Sequence, residues 1–159
     1  MANTFVADLQ SGCDFAFALA EKFLSICPDE IWNTIFGGWP VAHQFYHGLS
    51  TVPFFVGDLV KELPDNPCPE SGNLTTREPG ALPAKAQAAA YLADLKATMQ
   101  ALFAGLSDAD LNKKNATVSS ALGKDMTNGA VLGLLASHLL YHLGSCDAAL
   151  REQGLEGAF

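Results

Sequence analysis

Four histidines stand in this chain, as two pairs of one spacing: His43 with His47, and His138 with His142. In an α-helix, residues four apart differ by about 40° in direction and about 6 Å in height, so each pair projects from one helix face. Neutral imidazole is a ligand for zinc, nickel and iron-type ions. Two such faces meeting inside a helix bundle would enclose one divalent metal ion (Zn, Ni or Fe). The plainer reading of a histidine on an apolar face is a hydrogen-bonded core residue. Four buried imidazoles without partners would cost about 1–3 kcal/mol each, and a metal supplies those partners at once. Near the pairs, Tyr46 and Tyr141 each precede a histidine, while Cys146 and Asp147 lie four and five positions after His142. These are candidates for the pocket or for hydrogen bonds to the ligands, and Cys146 also for a ligand or a thiol near the metal. The commoner fate of each is an ordinary core or surface position. Glu-x-x-His, the spacing of di-iron carboxylate bundles, is absent, as is a glycine-rich phosphate loop.

The elements that must carry these residues read as helices. Over residues 4–26, Val6, Leu9, Cys13, Ala16, Phe17, Ala20 and Leu24 recur at spacings of three and four, which predicts an amphipathic helix ending before Pro28. Residues 29–36 allow a one- or two-turn helix, broken by Gly37-Gly38. A second long helix is expected from Trp39-Pro40 to about residue 63, carrying His43 and His47, kinked or interrupted at Pro53. Five prolines within residues 64–83 make a loop. About twenty extended residues reach roughly 65 Å, enough to cross a bundle and set helix three parallel to helix two. Helix three is expected over 84–104, alanine-rich. In residues 106–125, Ser107 reads as a cap and 116–120 as extended. Thr127 should cap a last helix that reaches about residue 153 and carries His138 and His142, with Gly154 as its stop. Four long helices argue an all-α, four-helix bundle, one domain over residues 1–159.

Composition narrows the partners. Hydrophobic residues make up 49% and charged residues 16%, a folded rather than disordered balance. The net charge of −8 and the lack of any Lys/Arg cluster exclude nucleic acid. The most apolar window, residues 126–146, is broken by Asn128, Ser137 and two histidines, so no membrane span is expected. The first eight residues lack the basic start and apolar core of a secretory signal. The expectation is a cytoplasmic protein whose scattered Cys13, Cys27, Cys68 and Cys146 are free thiols.

The residues around both pairs resemble the DinB/YfiT-like superfamily of metal-binding four-helix bundles. Trp39 precedes His47 by eight residues, as a tryptophan precedes the first ligand in that family. His138-Leu139-Leu140-Tyr141-His142-Leu143-Gly144 matches the family's last-helix motif, and Leu150-Arg151 follows it. The long crossover after helix two also matches. The resemblance implies a three-histidine site on His47, His138 and His142. His43 has no counterpart among the three, so it is expected to border the pocket or to be a fourth ligand one turn away. Ser145 stands where the family often has glutamine. The resemblance further implies a homodimer and a thiol-dependent transferase or isomerase, or a metal-dependent hydrolase, acting on a small electrophile. The alternative is a non-catalytic dimeric metal-binding or ligand-binding module.

Overall fold

The computed structural model describes residues 4–69, 71 and 81–159. Four long elements make the bundle: α1 (Thr4–Ile26), the pair α3 (Val41–Ser50) and α4 (Val52–Val56), α5 (Lys85–Gly105) and α8 (Asn128–Glu152). Short helices α2 (Asp29–Trp32), α6 (Asp108–Leu111) and α7 (Ala116–Leu122) fill the connections. A two-stranded antiparallel ribbon, β1 (Ile35–Phe36) with β2 (Trp39–Pro40), precedes α3. The expected all-α four-helix bundle is what the chain forms.

The contacts between helices give their directions. Cys13 and Leu9 of α1 meet Leu132 and Gly129 of α8, near the start of both, so these two run parallel. Val41 of α3 meets Cys146 while Gly48 meets Leu139, so α3 runs antiparallel to α8. Lys85, at the start of α5, reaches the Cys27 carbonyl beyond the end of α1, and Val6 N–H donates to Asp108 beyond the end of α5. Helices α3 and α5 are therefore parallel, as the long crossover requires. Residues 70 and 72–80 of that crossover lie outside the described residues. Its described ends are held by side chains. The Tyr46 hydroxyl donates to Asn66 and accepts from Cys68 N–H at 3.1 Å. The Trp32 indole donates to the Pro83 carbonyl at 2.9 Å.

Three local expectations need correction. Helix two begins at Val41, not at Trp39, because Gly37 and Gly38 take φ of 60° and 93°. Positive φ at both central residues makes a tight hairpin turn that turns Trp39 back onto Phe36. The helix is interrupted at Thr51, two residues before Pro53, and ends at Val56 rather than near 63. Proline has no N–H for the Leu49 carbonyl, so the ladder misses one bond there. Residues 116–120 are helical, not extended. Thr117 and Val118 are β-branched and argue for strand, but Asn115 accepts from Val118 N–H at 2.9 Å. The Asp58 carboxylate takes the N–H groups of Ala116 and Thr117 at 2.6 and 2.9 Å. Three satisfied helix-start donors outweigh the propensity of two residues.

One core joins all four elements. Phe45 of α3 stacks on Phe23 of α1 at 5.4 Å and meets Trp32 at 5.5 Å, while Leu132, Leu135 and Leu139 of α8 are buried beside them. Full burial of such side chains stabilises by about 1.5–3 kcal/mol each. Helix α8 has the length and hydropathy of a membrane span. Its apolar face is instead spent on α1 and α3, with Leu132, Leu135, Leu139, Leu143 and Leu150 all buried.

Candidate metal centre

The antiparallel seam between α3 and α8 holds the chemistry. Gly48 lies at the close approach: a Cβ there would stand 3.0 Å from Leu139 Cδ1 and 3.5 Å from His142 Cβ. The missing side chain lets α3 settle close enough for His47 to meet the α8 pair. Ring centroids of His47 lie 4.5 Å from His142 and 5.2 Å from His138, and the α8 pair are 4.6 Å apart. Each ring offers a nitrogen, and these three atoms lie within 4.8 Å of one another. Among the described residues, no other histidine, cysteine or carboxylate joins the group.

The residues fit a metal ion. His142 Nε2 and His138 Nε2 are 3.3 Å apart. Two nitrogens each about 2.0–2.1 Å from one ion in a tetrahedral arrangement are about 3.3–3.4 Å apart. Burial, with the neighbouring His47 and His138, pushes the His142 imidazole down to about 3, and burial beside His47 also lowers His138. At neutral pH these rings are neutral and keep a lone pair for a ligand bond. His142 is buried, whereas His47 and His138 are only partly so. The site is thus open on one side.

The profile of the DinB superfamily matches residues 14–146, most of the chain. The chain belongs to the DinB superfamily. Its fold is also that of a crystallised DinB-like protein from Bacillus cereus ATCC 10987, at a TM-score of 0.69 and 23% identity over 94% of this chain and 93% of that one. No curated protein matches. The DinB match takes in both histidine pairs, and the structure brings three of the four histidines together.

The other expected residues of this DinB protein go elsewhere. His43 is fully buried, its ring 5.2 Å from Trp39, and is not part of the group. Tyr46 faces α5 and the crossover, its ring 5.7 Å from Tyr91, so it is no pocket residue. The Cys146 thiol lies 3.7 Å from the Val41 carbonyl, and burial raises its pKa strongly. It is an inert core thiol rather than a ligand. Asp147 binds Arg151 Nε at 2.7 Å and accepts from Ala158 N–H, tying down the chain after α8. Only Tyr141 stays at the site. Its ring meets His142 edge-on at 5.1 Å and is 71% exposed, so it forms the rim.

Two residues escaped sequence reasoning. Gln44 Oε1 lies 2.9 Å from His142 Nδ1, and Thr51 Oγ1 lies 3.2 Å from His138 Nδ1. Gln44 and Thr51 stand three before and four after His47, so helical spacing does place them on its face. Their cross-helix partners emerge only when α3 and α8 pair.

Proposed function

We propose that this protein is a metal-dependent enzyme in which His47, His138 and His142 hold one divalent ion. The observation that carries this reading is the cluster of three imidazoles, two with Nε2 atoms 3.3 Å apart, at a site open on one side. A bound ion supplies Lewis acidity, lowering the pKa of a water or thiol in the position that three protein ligands leave open. The chain's own residues orient the reactants. Helix α8 fixes two ligands on one face, the Gly48 approach brings in the third, and Tyr141 and Phe55, whose ring lies 5.5 Å from His138, give the opening an aromatic border. We assign it to transfer or hydrolysis on a small electrophile, with zinc, nickel or iron as the ion and a homodimer as the working unit. The exposed Phe5 and Phe15 of α1, 68% and 57% accessible, support self-association.

A specific observation favours a second reading, a ligand-binding module whose metal is structural. A groove of about 800 Å³ lined by Leu24, Trp32, Leu82 and Lys85 lies away from the histidines. Elemental analysis of untagged protein, followed by assays of electrophile consumption with and without added thiol, separates the two. Near-stoichiometric metal with turnover that disappears in His47→Ala supports the enzyme. Metal without turnover supports the module. Less than roughly a tenth of an equivalent of metal, unchanged in His47→Ala, overturns both.

A further inference from the structure

Gln44 lies on α3 with His47 and Thr51 caps the end of that helix, yet each reaches a different histidine of α8. The amide oxygen of Gln44 only accepts, so the His142 Nδ1 facing it carries the hydrogen. The Thr51 hydroxyl has one hydrogen, and it is directed at the carbonyls of His47 and Gly48, both at 3.1 Å. Toward His138 Nδ1 that hydroxyl is therefore the acceptor, and His138 Nδ1 also carries its hydrogen. A neutral imidazole has one N–H. Both Nε2 atoms are thus left with lone pairs, and these face each other across 3.3 Å. Two acceptors at that distance repel unless a cation lies between them.

We infer that Gln44 and Thr51 are positioning residues that set the Nδ1–H tautomers of His142 and His138 and so present both Nε2 lone pairs to a single ion. The ion rests on the metal-centre reading above; the tautomers are a property of the metal-free protein. Without the Gln44 acceptor, the buried His142 ring is released to the other tautomer, whose Nε2–H points into the site and blocks the ligand bond. Partners of this kind alter metal affinity by about ten- to a hundred-fold when removed. Gln44 has the larger effect, because its contact is the shorter and its histidine the more buried.

The test is two-bond ¹H–¹⁵N NMR of the histidine rings in metal-free protein, paired with zinc affinity by chelator competition. Wild type should show Nδ1–H for His138 and His142. Gln44→Leu should move His142 toward Nε2–H and weaken zinc binding about ten- to a hundred-fold, and Gln44→Glu, which keeps an acceptor, should restore both. Thr51→Val and Thr51→Ser should behave likewise for His138, with a smaller loss. Nε2–H tautomers in wild type, or a Gln44→Leu variant with unchanged tautomer and affinity, would overturn the inference. If the tautomers are as inferred and wild type takes up no divalent ion, the metal reading fails and the tautomer control stands.

Discussion

The two histidine pairs share one spacing and have opposite fates. His138 and His142 both enter the histidine cluster that could hold a metal, while of His43 and His47 only the second does. The difference lies in the seam. With Val41 opposite Cys146 and Gly48 opposite Leu139 and His142, each residue of α3 has a fixed level on α8. His47 falls level with the α8 pair, and His43 falls a turn lower, between that level and the one where Val41 meets Cys146. There the imidazole is fully buried, its ring 5.2 Å from that of Trp39. Spacing within a helix makes a face; register between helices decides which part of the face meets a partner.

That contrast can be broken by exchanging the fates. His142→Ala should reduce divalent-ion affinity by more than about a hundred-fold in a metal titration, whereas His43→Ala should leave it within about two-fold. The second variant should instead lose about 1–3 kcal/mol of stability from the space left beside Trp39, read by urea unfolding. Loss of metal in His43→Ala would move the centre down one turn. Acid is the next lever. The folded-state value of His142, about 3, lies below the unfolded value of about 6.5, so between those limits only the unfolded chain binds this proton. Stability of the metal-free protein is therefore intact above pH 6.5 and declines below it, by at most about 1.4 kcal/mol per pH unit for this ring. Unfolding midpoints from pH 7 to pH 5 should fall in wild type and fall less steeply in His142→Ala, where His138 supplies the remaining dependence.

A milder change sharpens the register itself. Gly48→Ala sets a methyl 3.0 Å from the flexible tip of Leu139, so the seam opens by a few tenths of an ångström. The fold should persist and metal affinity fall by less than about ten-fold. The smallest effect belongs to Tyr46→Phe. It removes the bonds to Asn66 and Cys68 and should cost about 1 kcal/mol of stability with metal affinity unchanged.

Much of this was legible in the residues. Pro28, Ser107, Thr127 and Gly154 mark helix limits that the fold respects within a residue or two, because caps and prolines act locally. The positions that misled act through distant partners. The helix over 116–122 takes two of its three helix-start partners from the distant Asp58 and only one from its own cap Asn115, and the roles of Gln44, Thr51 and Gly48 exist only once α3 lies on α8. The histidine count and spacing pointed to a metal, but the choice of three from four came from the family motif and not from the spacing. Cys146 and Asp147 share the neighbourhood of His142 in sequence, yet Cys146 lies about 6 Å further along the helix, against Val41, and Asp147 is turned about 140° away, toward Arg151.

The distance along the chain between the two ligand-bearing helices has a consequence during synthesis. His47 precedes His138 by 91 positions. At about 5–20 residues per second, the first ligand waits roughly 5–20 seconds for the others to be made. Through that interval α3 carries Phe45 and Leu49, both destined for burial, with no α8 to cover them. An ion therefore cannot template the early steps of folding, since its second and third ligands arrive on the last helix. Retained metal would then mark a chain made at least through His142, because any polypeptide interrupted before His138 lacks two of the three proposed ligands.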